Sequence, residues 1–229
     1  MTTRAHGALR VATVRPTRFG MAAVVLAVSL LTTVSGRVAM AQSSRLRLPE
    51  RLGPATRVLI EAVADSLAAE GLPAAAVGDK AAEGALKGAN DERIVAAVRA
   101  LAQRLRRSRQ LLGADAGDDA LLAAASALYA GVPPASISRL ARIANDGKST
   151  HSGAALAMSL TVMAELAGAR VPLDVAVTSL EQLLARGAGD ADLRAFRNGV
   201  DVDIRRGLSP SDAASAGVQR TLRGLGRVP

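Results

Sequence analysis

The strongest constraint on this chain is its punctuation. Glycine recurs at Gly71, Gly88, Gly113, Gly131, Gly147, Gly168, Gly187 and Gly207, and the segments between the marks run to about 15–20 residues. Proline follows several of them, as in Gly71-Leu72-Pro73, Gly131-Val132-Pro133 and Gly207-Leu208-Ser209-Pro210. A glycine just past a helix and a proline at the start of the next are stop and start signals. The intervals carry helical periodicity. Residues 54–70 space Val58, Leu59, Val63 and Leu67 along one face; residues 91–112 do the same with Ile94, Val98, Leu101, Leu105 and Leu112, leaving Ser108 at the missing step. Ile137, Leu140, Ala141 and Ala144 line a third face, and Leu173, Val177, Leu180 and Leu184 a fourth. Residues 151–167 (HSGAALAMSLTVMAELA) hold one formal charge, Glu165, and a helix apolar nearly all round belongs at the centre. No stretch alternates apolar and polar residues as a half-buried strand does. The expectation is an all-α fold of eight or nine short helices, turning at the eight glycines.

Two arrangements of those helices fit the pattern. Gly-Pro turns alternate with turns lacking proline, and Gly131, Gly168 and Gly207 are spaced by 37 and then 39 residues. The turns Lys87-Gly-Ala-Asn-Asp and Arg186-Gly-Ala-Gly-Asp match closely. A period near 40 residues per helix pair predicts stacked α-hairpins, solenoid-like; an irregular helical bundle uses the same turns. Aromatic residues are 1% of the chain against 49% hydrophobic overall, so the core is aliphatic and the helices must pack closely through small contacts.

The N-terminus reads as an export signal. Arg4, Arg10, Arg15 and Arg18 precede the apolar run Met21–Val34, and Ala39-Met40-Ala41 then offers a small-x-small cleavage site with Gln42 as the new first residue. This makes residues 1–41 a signal peptide, 42–53 a flexible leader and 54–229 a single all-α domain. The competing reading is an uncleaved anchor, since Phe19–Gly36 is 18 residues without charge. Cleavage would leave the protein periplasmic or secreted, touching the membrane only through the segment before its removal. It would also remove five arginines and no acid, so the net charge falls from +9 to +4, with 24 basic and 20 acidic residues over 188. That balance argues against nucleic acid as a partner.

The inventory for chemistry is thin. There is no Cys, and the mature chain has one His, His151. This excludes disulfides, thiolate metal sites and Cys nucleophiles. Gly147-Lys148-Ser149-Thr150 matches the end of a phosphate loop, but Arg142 stands where its first glycine must be; Asp146 or Ser149 capping the following helix is the better account. Of the acidic clusters Asp115/Asp118/Asp119, Asp190/Asp192 and Asp201/Asp203, none fits a calcium loop, since Arg194 occupies the next ligand position after Asp190 and Asp192. A Ser-His-acid triad through His151 has no G-x-S-x-G elbow to support it. The sequence therefore predicts no catalytic site, no metal and no cofactor. An envelope hydrolase of the glycan-cleaving type, using Glu83 or Glu165, is the alternative. Its weakness is the want of aromatics to stack sugars, with only Tyr129 and Phe196 in the mature chain.

The most distinctive stretch is Lys80-x-x-Glu83-Gly84-x-x-Lys87-Gly88. Glu83 and Lys87 form an i,i+4 pair in the favourable orientation, worth about 0.2–0.5 kcal/mol. Gly84 inside a helix costs about 1 kcal/mol against Ala, so some contact exploits its missing side chain. One reading makes Lys80, Glu83, Gly84, Lys87 and Gly88 a docking groove for a partner, either another envelope protein or a second copy of this chain. The other packs Gly84 against the helix over 91–112. Residues 71–101, GLPAAAVGDKAAEGALKGANDERIVAAVRAL, resemble uncharacterised exported helical proteins of GC-rich bacteria; the resemblance implies export and helix, and no activity. The run Arg104, Arg106, Arg107 and Arg109, with Arg93 and Arg99, spreads around the arc opposite the apolar seam, as a solvated face does, with no aromatic nearby in sequence. The function expected is an exported, non-enzymatic scaffold.

Overall fold

A computed structural model describes residues 46–146 and 152–226, within a unit that begins at Ser43. Among the described residues there are nine α-helices and no strand: α1 (Pro54–Ala69), α2 (Ala75–Leu86), α3 (Asp91–Leu112), α4 (Asp118–Tyr129), α5 (Pro134–Asp146), α6 (Ser152–Gly168), α7 (Leu173–Ala185), α8 (Asp190–Arg205) and α9 (Pro210–Leu225). The all-α expectation is met, with its upper count of helices. The signal segment with Ala39, Ala41 and Gln42, and the stretch Gly147–His151, lie outside the described residues.

One turn chemistry closes most of the helices. At Gly71, Gly131, Gly187 and Gly207 the N–H of the next residue reaches back to the carbonyl five positions earlier, at 2.8–3.1 Å: Leu72 to Leu67, Val132 to Ala127, Ala188 to Leu183, Leu208 to Asp203. This is the Schellman closure, in which the residue after the glycine folds an apolar side chain back onto the helix. Leu72, Val132 and Ala188 are accordingly buried. The mark at Gly168 behaves differently. Gly168 is the last residue of α6, and the left-handed position is taken by Arg170, at φ 62°, with Val171 N–H bonded to Leu166 O at 3.0 Å. The turn falls two residues later than the glycine predicts, because Val171 rather than Arg170 supplies the buried apolar group that the closure needs.

The helices pack in two layers. In one, α1 packs on α3, α3 on α5, α5 on α7 and α7 on α9; in the other, α4 packs on α6 and α6 on α8. Most consecutive helices also pack on one another, α7 and α8 excepted, a pattern consistent with stacked hairpins or a helical bundle. α6 sits mid-layer against α4, α5, α7 and α8, which is why it can be apolar nearly all round. Ion pairs follow the same order: Arg106 of α3 with Glu70 of α1 at 2.6 Å, Arg139 of α5 with Glu181 of α7 at 2.7 Å, Arg197 of α8 with Glu165 of α6 at 3.4 Å. The second layer is interrupted at its start. α2 packs on α1 and α3, and α2 and α4 are not a packed pair.

Two apolar clusters result. One is built by α1, α2, α3 and part of α4 around Ile60, Leu67, Val77, Ile94, Val98 and Leu105; the other, larger, runs from α4 to α9 around Leu140, Leu160, Met163, Leu180 and Phe196. α4 serves both, turning Ala120, Ala123, Ala124 and Ala127 to the large cluster and Leu121 and Ala125 to the small one. On α3 the buried seam runs Ile94, Val98, Ala102, Leu105, Ser108. It passes through Ala102 where the sequence suggested Leu101, which is half-buried. Ser108 completes the seam without a stranded hydroxyl because its Oγ donates to Arg104 O at 2.9 Å.

The leader is corrected by the structure over residues 46–53. Leu52 is buried, and Leu46 and Leu48 pack against the smaller cluster. The intervening arginines hold backbone: Arg51 donates to Ala89 O at 2.9 Å, and Arg57 of α1 donates to Pro49 O and Leu52 O. The leader's leucines thus face inward, and Arg51 is laid onto a carbonyl.

Candidate docking site at the end of α2

The five residues singled out from the sequence divide by role. Lys80 and Lys87 both pair with Glu83, at 2.7 and 2.5 Å. Hydrogen bonds from Lys80 and then Lys87 hold the Glu83 carboxyl down at about 2, and Lys87 is raised in return. Glu83 is therefore ionised at any physiological pH. Gly84 is a packing position: a Cβ there would lie 2.9 Å from Ile94 Cγ1, on α3. The missing side chain is used by the helix over 91–112, as the packing reading expects, and is not open to a partner. Gly88 is beyond the helix, which ends at Leu86; at φ 73° it occupies the left-handed position that a side chain disfavours, and Ala89 N–H closes onto Gly84 O at 3.0 Å. The small-residue groove is thus replaced by a terminator and an internal contact.

What the surface does present is apolar and cationic. Leu86, the last residue of α2, is 90% exposed, and Tyr129, the last residue of α4, is 77% exposed. The Arg104 guanidinium lies over the Tyr129 ring, 5.0 Å from its centroid. α3 packs on both α2 and α4, which are not a packed pair, and along it Ala97, Leu101 and Arg104 are half-buried. Burial pushes Arg104 below its ordinary value. Its Nε is buried with no hydrogen-bond partner, and no carboxylate pairs with it among the described residues.

The rest of the arginine run is engaged. Arg106 reaches Glu70 and Ser66, Arg109 donates to Gly71 O and Ala114 O, and Arg107 donates to Gln110. The expectation that no aromatic serves this run fails for Arg104, because helix packing brings up Tyr129 from the next helix. The signal available in the sequence was that the chain's single Tyr ends an alanine-rich segment.

The carboxylates proposed for catalysis also have partners. A cleft of about 250 Å³ between α6 and α8 is lined by Glu165, Leu166, Ala169, Arg197, Val200, Asp201 and Ile204. Glu165 faces Arg197 and its side chain is 44% exposed, while Asp201 pairs with Arg205. The carboxylates that are buried lie elsewhere: Glu181 in a charge contact with Arg139, and Asp203 with Arg220 at 2.6 Å. Asp118, Asp119, Asp190 and Asp192 sit in the first turns of α4 and α8, where acids favour the helix dipole. Among the described residues no group of three or more His, Asp or Glu is placed to hold a metal.

No protein-family model matches this chain, and no characterised protein and no solved structure matches it at a significant level.

Proposed function

We propose that this protein is an exported, non-enzymatic helical scaffold of the cell envelope that binds a partner where α2 and α4 flank α3. The observation that carries the reading is the exposed Tyr129 under the uncompensated Arg104, with Leu86 exposed at the end of α2, which packs on the same α3. Monomer surfaces tolerate scattered apolar residues, but Tyr and Arg together, next to an exposed Leu, have the composition of an interface centre. The N-terminal order of basic, apolar and small residues supports export. No helix among the described residues is long and apolar enough to cross a membrane.

The hydrolase alternative is disfavoured by the state of its candidates. A general acid must hold a proton near the working pH, and Glu83 does not, because two lysines keep it ionised. Glu165 is half-exposed and faces an arginine. A photo-crosslinking residue placed at Leu86 in the protein expressed in its own host tests the scaffold reading. A defined adduct from Leu86, absent from the same probe at Arg206, is the expected result. Background labelling alone at both positions, or hydrolysis of envelope glycan abolished by Glu165→Gln, would overturn it. N-terminal sequencing of the exported protein should start at Gln42; an intact Met1 in the membrane fraction would refute cleavage.

A further inference from the structure

We infer that the cleft between α7 and α9 holds an uncharged peptide segment by its main-chain amides, which pair with the carboxamides of Gln182 and Gln219 and with the Ser179 hydroxyl. The cleft has a volume of about 320 Å³, and both helices line it. α7 supplies Thr178, Ser179 and Gln182, and α9 supplies Ser215 and Gln219. Val175 and Val218 are its apolar part. The one formal charge among the lining residues is Asp174, an acid in the first turn of α7. Thr178 and Gln182 follow Asp174 at steps of four, as Gln219 follows Ser215, so each helix lays a polar row along the cleft.

Ser179 is the observation that points to a ligand. The residue is 5% exposed, yet among the described residues its hydroxyl donates to no acceptor. Ser108, Thr161, Ser215 and Thr221 satisfy theirs on the carbonyl four residues earlier. The Ser179 oxygen is also not one of the unpartnered atoms sealed from solvent, so it opens into the cleft. A polar group this deep is costly unless water or a ligand completes its bonds. The two carboxamides set the chemistry of that ligand. Each offers a donor and an acceptor, the complement of a peptide carbonyl and N–H, and a hydroxyl serves either. With no cation in the lining, phosphates and carboxylates have no counter-charge, and Asp174 repels them. A sugar would bring hydroxyls too, but no aromatic lines the cleft for its ring to stack on. Val175 and Val218 instead suit a small aliphatic side chain.

The test is heteronuclear NMR of the isotope-labelled protein, with a short acetylated and amidated peptide of Ala, Ser and Val as the probe. The side-chain amides of Gln182 and Gln219 and the backbone amide of Ser179 should shift as peptide is added. Those of Gln103 and Gln110 should not, since they lie on α3, which is a packed pair with neither α7 nor α9. The same peptide N-methylated along its backbone lacks the N–H donors and should bind about tenfold more weakly. A peptide with Glu in place of Ser should bind more weakly as well. Gln182→Glu and Ser179→Ala, read at Gln219, should each weaken binding about three- to tenfold, the worth of one hydrogen bond. Ser179→Ala removes a hydroxyl with no protein acceptor, so its urea midpoint should not fall, which separates lost binding from lost fold. Unmoved Gln182 and Gln219 resonances, equal shifts at Gln103 and Gln110, equal binding of the N-methylated peptide, or undiminished binding by both variants would each overturn the inference. Displacement of the peptide by an N-acetylglucosamine oligomer that shifts the same resonances would assign the cleft to a glycan and overturn it too. The crosslink at Leu86 is decided separately, because that residue does not line this cleft.

Discussion

Replacing Arg170 by glycine should stabilise the protein. Arg170 is the one described non-glycine residue with positive φ, at 62°. Its N–H bonds to Ala167 O at 3.1 Å and the Val171 N–H to Leu166 O at 3.0 Å, the same pair of bonds that glycine makes at the other turns. The residue is exposed and has no described ion pair, so the change removes the conformational penalty and little else. A left-handed L-residue costs about 1–2 kcal/mol from the approach of Cβ to the carbonyl. Glycine loses more chain entropy on folding, which returns about 0.4–1 kcal/mol. The net gain is about 0.5–1 kcal/mol, a shift of roughly 1–4 °C in Tm for a domain of this size. Urea denaturation followed by far-UV circular dichroism reads it as a higher midpoint at constant m. Arg170→Ala keeps the Cβ and should show no gain. If Arg170→Gly is no more stable than Arg170→Ala, the penalty does not lie where the geometry puts it.

Three further outcomes are expected. Gly84→Leu should fail to fold or unfold at markedly lower urea, by more than about 3 kcal/mol, because even a Cβ meets buried Ile94 at 2.9 Å; a stable variant would mean that α2 and α3 part easily. Leu52→Ala should cost about 2–4 kcal/mol in the same assay, since the residue is a core member, and a neutral result would show that the leader does not pack. Glu83 has a depressed folded-state pKa, so its contribution is fully present above its unfolded value of about 4.5 and is lost as pH falls toward about 2. Glu83→Gln should therefore lower stability at pH 7 by no more than about 0.5 kcal/mol, the pair being solvent-screened. The difference should vanish near pH 2, and one that persisted there would point to packing rather than charge.

The helices were readable because their ends are written locally. A glycine, an apolar residue and often a proline specify the Schellman closure and the next start without reference to the rest of the fold, and the apolar run of α6 correctly implied its central place. Errors arose where packing chose among local options. Leu101 and Ala102 fit the α3 seam about equally by period, and the close approach of the neighbouring helices selected the smaller. Arg170 took a glycine's conformation because Val171 had to be buried. The leader looked polar, yet its leucines had a surface to meet and Arg51 had a carbonyl. Of the candidate site, the packing contact of Gly84 was one of two readings that the cost of an interior glycine left open. The pairing of Arg104 with Tyr129 escaped notice because the two come from different helices and meet only through packing.

α4 has a consequence for how the protein opens. It is the wall between the two clusters, and its buried residues are alanine apart from Leu121. Parting α1, α2 and α3 from it exposes Leu121, Ala125 and part of Leu122 on the α4 side, less apolar surface than the larger cluster holds, so that separation is cheaper than dissolving the larger cluster. The protein should behave as two cooperative units in native-state hydrogen exchange. Amides of α1 to α3 should exchange through a sub-global opening whose free energy lies below that of complete unfolding. Amides of α6 should be protected up to the global limit. The contact of Arg104 on α3 with Tyr129 on α4 straddles the boundary. A ligand bound there would bridge the two units and should slow exchange in α1 to α3 more than anywhere else.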